Sequence, residues 1–143
     1  MKRKCSLAAG LAMVMWLAGG CAVLDLERES GDDQHAENAM EIPLNSLVMD
    51  HVSCTNGDKT DWKFFQTGQG GMMNITFSFD ETNAGGTICI YTKQNKELSC
   101  EEFSYHDTER KVFPLDAEPN SFYFLKIYCT SFESVYSIEV THQ

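Results

Sequence analysis

The seven residues Met73-Asn74-Ile75-Thr76-Phe77-Ser78-Phe79 alternate apolar and polar without a break. A period of two puts all four apolar side chains on one side, so this stretch reads as a strand with Met73, Ile75, Phe77 and Phe79 facing a core and Asn74, Thr76 and Ser78 facing out. Such a strand cannot stand alone, because the apolar face of its sheet needs a second layer against it. From about Ile42 onward the chain has the same texture. Candidate strands cover 46–53, 61–67, 72–79, 87–93, 97–103, 111–115, 121–129 and 135–142. The breaks carry turn chemistry: Thr55-Asn56-Gly57-Asp58, Gly68-Gln69-Gly70-Gly71, Asn83-Ala84-Gly85-Gly86 and Glu118-Pro119-Asn120. No long stretch beyond residue 21 keeps a helical period with caps. The expectation is an all-β domain over 42–143, an antiparallel β-sandwich of about eight strands.

The amino-terminal end has a different logic. Lys2, Arg3 and Lys4 precede a short apolar run, Ser6 to Ala18, which is the layout of an export signal. A spanning helix needs ~20 apolar residues, and this run is shorter. It ends in Leu17-Ala18-Gly19-Gly20-Cys21, which resembles the lipobox of bacterial lipoproteins. The resemblance implies a signal peptide over 1–20, cleavage before Cys21, and a diacylglyceryl group on the Cys21 thiol with further acylation of the new amino terminus. Two or more acyl chains hold a protein stably to a bilayer, so the membrane would be a partner through lipid. Ala22, rather than an aspartate after the cysteine, implies delivery to the outer membrane of a diderm bacterium, with the domain facing either the periplasm or the surface.

Charge narrows the partners. The first 20 residues hold three basic and no acidic side chains, leaving eight of the 11 basic residues against all 21 acidic ones, a formal charge of −13. Nucleic acid is excluded as a natural partner, and an anionic lipid surface would repel the chain outside its anchor. Between residues 22 and 41, Asp25, Glu27, Glu29, Asp32, Asp33, Glu37 and Glu41 face Arg28 alone. Such a stretch buries little apolar area, so 21–41 is expected to be a solvated acidic tether of ~25 Å root-mean-square length.

Six cysteines divide by position. Cys5 leaves with the signal, Cys21 takes lipid, and Cys54, Cys89, Cys100 and Cys129 remain in an exported domain, where an even number reads as two disulfides of three alternative connectivities. A hairpin centred on Gln94-Asn95 sets Cys89 opposite Cys100, within disulfide range. The same register opposes Tyr91 to Leu98, Ile88 to Glu101 and Ile90 to Ser99, a poor match for a core face that a bulge would relieve. By elimination the second bridge is Cys54–Cys129.

The strand order resembles the bacterial pre-peptidase C-terminal domain, a small jelly-roll-like sandwich. The matching pieces are Asp61-Trp62 with Phe65, Gly68, Ile75-Thr76-Phe77, Ile88-Cys89-Ile90-Tyr91, Tyr123-Phe124-Leu125-Lys126-Ile127 and Tyr136-Ser137-Ile138-Glu139-Val140. Lys63 stands where that family has an inward aromatic. Collagen-binding relatives of similar fold use acidic clusters for calcium. Here Asp50, Asp58, Asp61, Asp80 and Glu81 fall at strand ends, but none forms a recognisable calcium loop, so they read as solvated turn carboxylates.

Catalysis has little support. His51 and His106 are the histidines within the domain away from its ends, and no nucleophile elbow or paired-histidine motif is present. No cofactor is implied. On the strand 121–129, Tyr123, Leu125, Ile127 and Cys129 share one face and Phe122, Phe124, Lys126 and Tyr128 the other. One face is core; the other, with Phe122, Phe124 and Tyr128, lies under a neighbouring loop or forms a contact surface. The expectation is a lipid-anchored envelope binding module with a protein or polysaccharide partner. The alternative is an assembly accessory lipoprotein of an outer-membrane complex.

Overall fold

The alternating stretch forms β4 (Gly71–Phe79), and Met73, Ile75, Phe77 and Phe79 are all fully buried. The structure is a computed structural model that describes residues 31–81, 84–104 and 107–143. The signal peptide, Cys21 and His106 lie outside the described residues. β4 pairs antiparallel with β7 (Lys111–Ala117) on one side and β9 (Glu133–His142) on the other, and β2 (Leu47–Ser53) completes a four-stranded sheet in the order β2-β9-β4-β7.

A second sheet packs on it. Its order is β1 (Met40–Glu41), β3 (Thr60–Gln66), β8 (Phe122–Ser131), β5 (Gly85–Thr92) and β6 (Glu97–Phe103). All pairings are antiparallel except the short parallel β1–β3 contact. The all-β sandwich is therefore as the alternation indicated, and the core lies between the sheets. Phe77 packs edge-on to Phe79 and Phe103, with ring centroids 5.1 Å apart in each case, and stacks on Tyr136 at 5.5 Å. Phe65 stacks on Tyr123 at 5.5 Å. Full burial of side chains of this size contributes about 1.5–3 kcal/mol each, which makes this ring cluster the main cohesive element.

Two boundaries differ from the sequence reading. Residues 31–41 are not a free tether over their length: η1 (Ala36–Asn38) and β1 pack on the five-stranded sheet, and Asp33 is buried. The reason is a partner far along the chain, because Asp33 meets a buried lysine and its carbonyl accepts from the Trp62 N–H at 2.8 Å. Gly85 and Gly86, read as part of a turn, lie inside β5. A Cβ on Gly86 would stand 2.4 Å from the Tyr128 carbonyl oxygen and 2.9 Å from Phe79 Cζ, so a glycine there lets the strand approach its neighbours at a register shift.

Candidate functional site

Alternation along β3 and β8 builds the most distinctive surface. Asp61, Lys63 and Phe65 point inward, which turns Trp62 and Phe64 out; Tyr123, Leu125, Ile127 and Cys129 point inward, which turns Phe122, Phe124, Lys126 and Tyr128 out. β5 adds Tyr91. Trp62 and Tyr91 rings lie 5.5 Å apart, and Phe64 sits 6.1 Å from Phe122 and 6.0 Å from Phe124. Two ammonium groups lie against these rings: Lys93 Nζ 5.1 Å from the Phe122 centroid, and Lys126 Nζ 5.7 Å from Trp62 and 5.9 Å from Tyr128. The Tyr91 hydroxyl donates to Glu97 Oε2 at 3.1 Å; partial burial, then this carboxylate, push its pKa up.

The face is partly covered. η1 crosses it, so that Ala36, Glu37 and Ala39 form hollows with Phe64, Phe122 and Phe124 on one side and with Trp62, Tyr91 and Phe124 on the other. The expected neighbouring cover thus exists, supplied by the segment that reads as tether. Phe122 and Phe124 are half-buried and Tyr128 is exposed.

What holds that strap is a buried charge cluster. Lys63 Nζ donates to Asp33 Oδ2 at 2.6 Å and to Asp50 Oδ2, and lies 3.6 Å from Met40 Sδ. Behind it, the Tyr136 hydroxyl donates to Asp61 Oδ2 at 2.6 Å. Burial pulls the Lys63 ammonium down, but the hydrogen bonds and charges of Asp33 and Asp50 outweigh it, so the lysine keeps its proton. Burial raises Asp33 against the opposing Lys63 bond. Asp61 is pushed up to about 8, again by burial, with Tyr136 pulling the other way. Burial, then the Asp61 charge, hold the Tyr136 phenol well above its usual range. Asp33, Asp50 and Asp61 each offer an oxygen within 4.8 Å of the others, a spacing a metal ion could use. The Lys63 ammonium already bonds two of the three, so the protein's own cation fills that role.

The other residues singled out from sequence separate. Cys89 and Cys100 are directly opposite and form a disulfide, with Ile88 facing Glu101 and Ile90 facing Ser99 as expected. Tyr91 pairs with Glu97 rather than Leu98, because a bulge follows Ile90. The Cys54–Cys129 bridge is absent: both are free thiols. They are neighbours, with each thiol turned to a carbonyl. Cys54 Sγ donates to the Cys129 carbonyl at 3.0 Å, and Cys129 Sγ lies 3.1 Å from that of Phe132 and 3.2 Å from that of Ser131. Burial, then the Cys54 thiol beside it, push Cys129 up to about 12. His51 is buried with Nδ1 lacking a hydrogen-bond partner among the described residues. Asp58, Asp80 and Glu81 do not join the acidic cluster. Asp33 and Lys63 were not legible as its centre; the one trace was a lysine at an inward-facing position of an aromatic strand.

No family model matches the chain, and no curated protein sequence matches it either. Solved structures do. The pre-peptidase C-terminal domain of a collagenase from Bacillus anthracis superposes with a TM-score of 0.55 at 17% identity, over 71% of this chain and 93% of that one. CorA, a surface-associated copper-binding protein important in copper acquisition in Methylomicrobium album BG8, also gives 0.55, at 7% identity, over 73% and 98%. At such identities the likeness shows the fold, and the fold agrees with the resemblance read from the strand order.

Proposed function

We propose that this chain is a lipid-anchored, non-catalytic binding module of a bacterial cell envelope, held in the outer membrane through Cys21, with the outer face of the five-stranded sheet as its contact surface. The observation that carries the reading is an asymmetry between the two outer faces. Trp62, Phe64, Tyr91, Phe122, Phe124 and Tyr128 all point out from one sheet. The outer face of the other carries Leu47, Met49, Asn74, Thr76, Val112 and Glu139, and no Phe, Tyr or Trp among its described strand residues. Clustered aromatic side chains of this kind mark interaction surfaces. The anchor rests on Leu17-Ala18-Gly19-Gly20-Cys21. Since packing begins by Asp33, the chain from Cys21 to Gly31 can span at most about 35 Å, which keeps the strap-side edge of the sheet near the bilayer.

Two measurements test this reading. Cys21→Ser should yield an unprocessed precursor that leaves the detergent phase; an unmodified Cys21 in the intact mass of the wild-type protein would remove the anchor from the reading. Immobilised mature protein should retain envelope material, with Phe124→Ser lowering retention several-fold and Met49→Ser, on the opposite sheet, leaving it unchanged. Equal retention by both variants would refute the contact surface. A stoichiometric protein complex in the retained material would favour the assembly-accessory role.

A further inference from the structure

Three hollows run together on the surface, and Lys93 lines all of them. One of about 560 Å³ opens at the β5–β6 hairpin beside Phe122. The next, about 340 Å³, lies between η1 and Phe64, Phe122 and Phe124, and a third of about 370 Å³ continues to Trp62 and Tyr91. Joined through Lys93, they make an elongated open groove, a shape that suits a stretch of extended polymer better than a compact small molecule.

The walls choose the chemistry. Lys93 lies against Phe122 inside the groove, and Lys126 lies against Trp62 and Tyr128 just beyond its lining, so a cationic ligand would meet resident ammonium groups where it would seek the negative ring faces. Lys63 and Lys111 pair with carboxylates, whereas Lys93 and Lys126 pair with none among the described residues. On a chain with 21 acidic and 11 basic residues, two unpaired ammoniums on one aromatic surface are where an anionic group is accepted. Lys93 and Lys96 face Asp116 and Glu118 in the 560 Å³ hollow, and Lys93 faces Glu37 in the two beside the strap, so it is the aromatic walls, Trp62, Tyr91 and Phe124, that place the sugar-binding stretch nearer the strap. There Glu37, Thr92 and Asn95 form a polar rim able to bond hydroxyl groups. Sugar rings present apolar C–H faces whose slightly positive hydrogens stack on the negative faces of aromatic rings.

We propose that this groove binds an acidic oligosaccharide, with sugar rings over Trp62, Tyr91 and Phe124 and anionic groups on Lys93 and, past the Trp62 end of the groove, on Lys126. The inference rests on the contact surface proposed above and names its ligand class. The test titrates the mature full chain, in detergent, with oligogalacturonate, a neutral malto-oligosaccharide of equal length, and polyaspartate. Fluorescence of Trp62, the one tryptophan after Cys21, reports the site. Oligogalacturonate should bind saturably, and Lys93→Gln, an exposed position, should weaken it about tenfold, as loss of a charge-assisted contact does. Polyaspartate binding as tightly would reduce the effect to charge, and the neutral sugar binding as tightly would remove the anion preference; either overturns the proposal. If none of the three binds while Phe124→Ser still lowers envelope retention, the ligand class is wrong and the face stands. If Phe124→Ser leaves retention intact, the face itself is wrong.

Discussion

Asp61 sits fully buried with one oxygen bonded to Tyr136 and the other without a partner among the described residues, which makes the neutral acid its favoured form. Its folded pKa is about 8 against 3.8 for the free side chain. Between those values the unfolded chain has released a proton that the folded chain retains, so stability is full below about pH 4 and falls as pH rises toward 8, by up to about 1.4 kcal/mol per pH unit. The raised Asp33 carboxyl adds to the loss in the same direction. Asp61→Asn keeps an acceptor for Tyr136 and removes the proton. Urea midpoints measured from pH 5 to 8 should fall for the wild type and stay flatter for the variant; parallel lines would exonerate this carboxyl. The two free cysteines give a second residue-scale expectation. Thiol titration of the mature protein should find two groups in denaturant and slow reaction in the native state, because Cys129 is buried with its pKa raised to about 12. A count of zero would mean that the neighbouring pair closes into the second bridge.

Strand β5 shows how an element is fitted to its neighbours. Its entry runs between the Tyr128 carbonyl and the Phe79 ring with no room for a side chain at Gly86. Gly86→Ala should therefore destabilise the domain by about 1–3 kcal/mol, the usual scale of overpacking, with a lowered urea midpoint and an unchanged slope. A loss below ~0.5 kcal/mol would mean that the bulge absorbs the methyl group. The strap η1–β1 is the opposite case, an element with weak propensity of its own. It has no side-chain cap, no buried residue in its 3₁₀ turn and only two ladder pairs with β3. Its position comes from Asp33 on Lys63 and from the Trp62 and Ile42 N–H groups, which donate at 2.8 Å to the Asp33 carbonyl and 2.7 Å to that of Phe64.

At the scale of the whole molecule, that strap sets the domain boundary. A chain beginning at Ile42, where strand texture begins, keeps every long strand yet leaves Lys63 buried with Asp50 alone and uncovers Phe64 and Phe124. Beginning at Gly31 instead should raise stability by about 3 kcal/mol, the scale for restoring a buried pair, and equal urea midpoints would return the strap to the tether. Alternation and turn residues alone determined the eight long strands and the two-layer architecture, because side chains in a strand alternate whatever lies around them. They also placed Cys89 opposite Cys100, since hairpin register follows from its centre. Only the tertiary structure decided that an acidic segment without strand periodicity lies on the sheet, that Cys54 and Cys129 turn to carbonyls, and that Lys63 gathers Asp33 and Asp50 near Asp61. The strap, the Lys63 cluster and the Cys54 thiol depend on a charge or hydrogen-bond partner far along the chain, and the Cys129 thiol on a local turn of backbone carbonyls, none of which an alternation pattern encodes.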